Sequence, residues 1–97
     1  MLISGQVPER VDGTVPTDFA GQCRLVWSNV LAQLAHAAMS VTNLVKVTTF
    51  LASRMHAGEN GSIRRETLDD HRRALTVVIT DTFDVRWLLE IEAIAAR

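Results

Sequence analysis

Cysteine, lysine, charge of one sign and long apolar runs are all scarce in this chain, and each scarcity narrows what the protein can be. A single cysteine, Cys23, among 97 residues rules out an internal disulfide and a cysteine-built zinc site. It falls within a helical pattern, where a buried thiol serves as a small hydrophobe. His36, His56 and His71 share no ligand spacing, so no metal site is expected. No apolar run approaches the ~18–20 residues of a membrane span, and no charged-then-apolar leader opens the chain. No membrane partner is therefore expected, and the cytoplasm is the expected location. Ten basic residues stand against eleven acidic ones, for a net charge of −1. That balance argues against nucleic acid as a partner, because phosphate binding needs a basic surface. Only Lys46 is lysine, the other nine basic residues being arginine, which reads as a composition bias more than as a ligand site.

With 47% hydrophobic and 22% charged residues, the composition is that of an ordinary globular domain, and residues 1–97 read as one. There is no repeat, linker or low-complexity segment. Leu2-Ile3-Ser4 reads as a short strand closing on Gly5, and 8–16 as turn and loop around Asp12-Gly13. Thr17 is placed to cap a helix, with Asp18 in its first turn. Phe19, Cys23, Val26, Trp27, Val30, Leu31, Leu34 and Ala38 then mark one helical face, predicting a helix from Asp18 to Ala37 or Ala38. Gln22 and Asn29, seven apart, fall near its edge.

After a turn at Val41-Thr42-Asn43, Leu44–Leu51 has the period of a strand, with Val45, Val47, Thr49 and Leu51 on one face. Weak helix character runs from Ser62 to Leu68. Ala74–Thr80 reads as a buried strand, 81–84 as a turn, and Val85 or Trp87 onward as the last strand. Within that strand Glu90 and Glu92 share one face, while Leu89, Ile91 and Ala93 share the other. Burying either acid would require a partner or a raised pKa, the usual way in which active-site acids are made.

The order β-α-β-α-β-β, with right-handed crossovers, predicts an α+β fold: a mixed sheet with both helices on one face and its last two strands antiparallel. The other face is the difficulty. Leu75, Val77, Ile79 and the residues between them are largely apolar, so neither face of that strand suits water. A chain of this size cannot cover both. Another subunit is expected to do so.

Four segments together resemble the RidA/YjgF family, also labelled L-PSP endoribonuclease: Ile3-Ser4-Gly5-Gln6-Val7-Pro8, Phe19-Ala20-Gly21-Gln22 with Asn29, Leu44–Leu51, and Glu90-Ile91-Glu92-Ala93-Ile94-Ala95. The resemblance implies a chorismate-mutase-like fold, a homotrimer whose sheets form a barrel, and small-molecule clefts between subunits. It also implies hydrolysis of reactive enamines and imines to 2-oxo acids and ammonia, with no cofactor. By position, Glu90 would handle the water, and Ser4 and Gly5 would line the cleft. The ribonuclease label finds no support in the residues, since no histidine pair or basic groove is evident.

Two departures stand out. The resemblance places a carboxylate-binding arginine at position 75 and frequently a cysteine at 77; here they are Leu75 and Val77. Leucine cannot hold a carboxylate. Arg73, on the same strand face roughly 6.5–7 Å earlier, is a candidate replacement fork. The usual N-terminal strand of the family is also expected to be missing. Two readings follow: a deaminase with an altered pocket, or a non-catalytic trimeric module that binds a small ligand or a protein in the same clefts. Trp27 and Trp87 read as core or interface residues.

Overall fold

The structure, a computed structural model, describes residues 1–69 and 73–97; the reading of His71 as a loop residue lies outside them. Its elements are β1 (Leu2–Gln6), α1 (Phe19–His36), β2 (Leu44–Leu51), α2 (Ala57–Leu68), β3 (Ala74–Ile79) and β4 (Leu89–Ala95). Short 3-10 turns at Val41–Asn43 and Arg54–His56 lead into β2 and α2. The four strands form one sheet in the order β1-β4-β2-β3. β2 and β3 are parallel, while β4 is antiparallel to both of its neighbours, β1 and β2. The last two strands thus run in opposite directions, but β2 lies between them. The two crossovers set both helices on one face.

Core formation follows the apolar stripe of α1. Phe19, Cys23, Val26, Trp27, Val30 and Leu34 are buried against Ile3, Val47, Leu51, Leu89, Ile91, Ala93 and Ala95 of the sheet. α2 adds only Ile63 and Leu68 to this core. It is tied to α1 by Arg24 Nη1 donating to Glu66 Oε2 at 2.7 Å, an exposed pair of little energetic weight.

Several boundaries differ from the sequence reading, each for a local reason. Asp18, not Thr17, is the N-cap residue of α1, with extended backbone and its carbonyl accepting from Gln22 N at 3.1 Å. α2 starts at Ala57, five residues earlier than expected, after Ser53 Oγ accepts from Met55 N in the preceding turn. Val45 is exposed although period two puts it inward: a register shift between Leu44 and Lys46 gives Leu44 the buried place. β4 begins at Leu89, because 83–88 form turns closed by Trp87 N donating to Asp84 O. The largest correction concerns β3. Expected to be buried, it is exposed at all six positions.

Candidate functional site

Gly5 and Glu90 come together where β1 meets β4, with Ser4 adjacent in β1. Ile3 pairs with Ala93 and Gln6 with Ile91, so the two residues between, Ser4 and Gly5, oppose a single residue and bulge the strand. Glu90 and Glu92 both project from the helix-free face, and Leu89, Ile91, Ala93 and Ala95 project into the core. Glu90 is half-buried and Glu92 exposed. The bulge brings the Gly5 backbone against the Glu90 side chain: a Cβ at position 5 would lie 2.4 Å from Glu90 Oε2 and 2.7 Å from its carboxyl carbon. Only glycine leaves that space.

Gln22 holds the start of β4 in place. It is buried, and Nε2 donates to Pro16 O at 2.8 Å and to Arg86 O at 2.9 Å, while Oε1 accepts from Leu88 N at 2.8 Å. One amide thus ties helix, loop and strand together two residues before Glu90. Asn29 does similar work for β1, donating from Nδ2 to Val7 O at 3.1 Å. Nothing in the sequence reading assigned these roles, though a polar amide beside an apolar helical stripe is the signal for them.

Glu90 opens onto a groove of about 230 Å³ with Phe50, its cross-strand neighbour, and residues 80–83. A second groove on the same sheet face, about 270 Å³, runs past Ser4, Lys46, Thr48 and Glu92. Neither groove entered the sequence reading, since Asp81 and Phe83 reach the first one only through the path of the β3–β4 connection.

The remaining candidates lie elsewhere. In the parallel register Leu75 faces with Val47 and Val77 with Thr49, on the helix side of the sheet. Glu90 pairs with Phe50 on the opposite side. β3 is also two strands from β4 and three from β1, or about 10 and 14 Å. The Arg73 guanidinium donates from Nη2 to Val41 O and Leu68 O, both at 3.4 Å, at the end of α2. Burial draws its pKa below the ordinary arginine value, with Asp69 opposing. One copy of the chain therefore brings together Gly5 and Glu90, sets Ser4 in the adjoining groove, and keeps Arg73, Leu75 and Val77 apart from them.

The sequence-expected background residues are accounted for more simply. Burial pushes the Cys23 thiol up to about 12; it points at Asn60 Oδ1, 3.9 Å away. His56 stacks on Phe19 with ring centroids 4.5 Å apart. Trp27 is core, and Trp87 packs near Phe83 with ring centroids 6.3 Å apart. Among the described residues, no group of three or more His, Cys, Asp or Glu is arranged to hold a metal ion. Among the described residues no helix is long and apolar enough to cross a membrane.

This architecture is shared. The family model described as Endoribonuclease L-PSP matches residues 1–97, the whole chain. The chain belongs to that family. TdcF of Escherichia coli K12, which carries the name of a reactive intermediate deaminase, is 33% identical over 103 residues, covering 100% of this chain and 78% of TdcF. The solved structure of E. coli TdcF with bound serine superposes with a TM-score of 0.91 at 30% identity, over 99% of this chain and 79% of that one. A Thermotoga maritima protein titled as an endoribonuclease gives a TM-score of 0.93 at 28% identity, over 100% of this chain and 78% of that one. The mixed four-stranded sheet with two helices is thus the L-PSP fold.

Proposed function

We propose that this member of the L-PSP family hydrolyses reactive enamine and imine intermediates to carbonyl compounds and ammonia, the products being 2-oxo acids where the substrate carries an α-carboxylate. The observation that carries this reading is the Glu90 carboxylate seated over Gly5, at the mouth of a groove. An acid held in that way accepts a proton from water as the water oxygen adds to the C=N carbon. The carbinolamine so formed then loses nitrogen as ammonia when the C–N bond breaks. Ser4 lines the neighbouring groove on the same sheet face, with Glu92, and is the candidate to orient a substrate from that side. The name of TdcF and the serine bound in its structure support a small, amino-acid-like ligand class for the fold.

The altered pocket belongs to the same proposal. Leu75 and Val77 face away from Glu90 within one chain, so they reach a Glu90 groove only from a neighbouring copy, whose apolar β3 edge supplies the second wall. A homotrimer with ligand clefts at its seams satisfies both the exposed edge and the split site. Arg73 is occupied by two backbone carbonyls, and binding a substrate carboxylate would cost it those contacts. Leu75 favours a second reading, a non-catalytic trimer that binds a small ligand or a protein in the same clefts.

Imines generated in situ by an oxidase, with and without the protein, separate the two readings. Glu90→Gln is expected to lower the catalysed rate by about 10²–10⁴-fold with the fold intact. Acceleration that survives Glu90→Gln, or none in the wild type with any imine, would reject the deaminase assignment. Leu75→Arg is expected to raise activity on carboxylate-bearing imines.

A further inference from the structure

The groove at Glu90 has a charge character that imine hydrolysis by itself does not call for. Its lining is Phe50, Thr80, Asp81, Thr82, Phe83 and Glu90: two carboxylates, two aromatic rings and two hydroxyls. Among the described residues, no lysine, arginine or histidine lines it. The nearby Arg86 is already neutralised, with its guanidinium on Asp84 Oδ2 at 2.8 Å and Glu9 Oε1 at 3.1 Å. Lys46 shares the sheet face but lies four residues along β2 from Phe50, about 13 Å away. The Thr82 hydroxyl is spent on Trp87 O, 2.7 Å away.

An anion entering this space meets two like charges and little to donate to it. A cation with an apolar body meets the reverse. Carboxylates attract its charge, and the rings of Phe50 and Phe83 offer both apolar contact and the negative face of an aromatic quadrupole. Neighbouring negative charge also favours the protonated form of a bound imine, and the iminium carbon is the better electrophile for water.

Resting on the deaminase reading above, we propose that the Glu90 groove selects cationic substrates without a carboxylate, the iminium ions of simple amines, over imino acids. In the reaction the water oxygen bonds to the iminium carbon while one water proton passes to Glu90. The nitrogen of the resulting carbinolamine takes up that proton, and the C–N electron pair leaves with nitrogen. As nitrogen leaves, the carbinolamine hydroxyl gives its proton to Glu90, which passes it to the departing ammonia, and the carbonyl compound remains. The balance is R₂C=NH₂⁺ + H₂O → R₂C=O + NH₄⁺, with Glu90 returned to its starting state and no redox partner required.

The test compares two imines made in situ: that of 1-phenylethylamine from an amine oxidase, and that of alanine from an amino-acid oxidase. Semicarbazide competition reports the catalysed rate. The expected kcat/KM favours the carboxylate-free imine by at least about tenfold, the size of one partly screened charge contact. Asp81→Asn is expected to raise KM for that imine several-fold and leave kcat in place. A calorimetric arm compares 1-phenylethylammonium with phenylacetate: the cation binds, Glu90→Gln and Asp81→Asn weaken it, and the anion does not bind. Preference for the alanine-derived imine, or binding of phenylacetate over the ammonium ion, overturns the inference and leaves the deaminase reading standing. If neither imine is accelerated but the ammonium ion binds through Glu90 and Asp81, the deaminase reading falls and the cation-selective groove stands. If neither imine is accelerated and the ammonium ion fails to bind, both fall.

Discussion

β2 and β3 lie side by side in parallel register, yet the chain treats them differently. On β2, Leu44, Val47, Thr49 and Leu51 are buried beneath the helices, while on the other face Lys46 is exposed, Phe50 half-buried and Thr48 buried. β3 carries Ala74, Leu75, Val77, Val78 and Ile79 with no alternation, and its three helix-side residues are 45%, 43% and 39% exposed. The helices stop short of it. An edge strand that is apolar on both faces and covered on neither is an association surface. Composition alone makes both strands look like core; only the placement of the helices separates the strand that the chain covers from the one that it leaves bare.

Equal truncations on the two sides of this divide break the comparison most directly. Ile91→Ala removes a fully buried side chain from the central strand β4 and is expected to cost about 2–5 kcal/mol in denaturant unfolding. Val77→Ala on β3 is expected to leave single-chain stability within about 0.5 kcal/mol. Val77→Asp should keep native circular dichroism while sedimentation shifts from trimer to monomer. A Val77→Asp chain that still sediments as a trimer would remove β3 from the interface.

The next largest effect concerns how the central strand is entered. Gln22→Ala leaves the Leu88 N–H and the carbonyls of Pro16 and Arg86 without their partner, an expected loss of about 1–3 kcal/mol. Because the bond to Leu88 also sets where β4 starts, the same variant should weaken any Glu90-dependent activity beyond what stability explains. Gln22→Glu keeps an acceptor for Leu88 but sets a buried carboxylate oxygen against the Pro16 and Arg86 carbonyls, and is expected not to restore it. Equal stability of wild type and Gln22→Ala would show that water replaces the strap at no cost.

The opposite edge, β1, sharpens the contrast, since there the proposed chemistry lies at the edge instead of an uncovered apolar strand. Gly5→Ala forces the Glu90 carboxylate to move, because the new methyl group would overlap Oε2. The side chain is flexible and half-buried, so stability should change little, while activity is expected to fall by about tenfold or more through misplacement of the acid. Ser4→Ala, at an exposed position, should cost less. Unchanged kinetics in Gly5→Ala would mean that Glu90 has no fixed place in the reaction.

How much of this was legible depended on whether one strand or helix carried its own signal. Leu44–Leu51, the α1 stripe apart from Leu31 and Ala38, which are exposed, and the pairing of Glu90 with Glu92 on one face were readable, because periodicity within a single element decides them. Val45 was misplaced because a bulge adds a residue that period two cannot represent. The burial expected for Ala74–Thr80 failed because hydrophobicity does not say whose surface covers a strand. The contact between Gly5 and Glu90 spans 85 positions and arises from β1–β4 pairing, so no local pattern announces it, although a glycine after a short strand hints at a bulge. The split between the Glu90 group and Leu75 is likewise a property of strand order, invisible until β4 is seen inserted between β1 and β2.

The smallest effect lies in the loop that joins the two contrasted regions. Arg86 reaches Asp84, Glu9 and the Gly13 carbonyl, pinning the β3–β4 connection to the loop that precedes α1. The side-chain hydrogen bond from Arg86, aided by its backbone N–H, lowers the Asp84 pKa. A carboxyl whose pKa is lowered by folding contributes stability above its unfolded value and loses that contribution as pH falls through the folded value. The unfolded value is about 3.9, so the contribution is complete at neutral pH and vanishes only in acid. Arg86 is exposed and Asp84 only partly covered, which keeps the effect small and salt-sensitive. Arg86→Ala should therefore lower Tm slightly near neutrality, and the gap from wild type should close between about pH 5 and pH 2. A gap that widens in acid would reverse the sign and assign the role of Arg86 to packing instead of to its ion pairs.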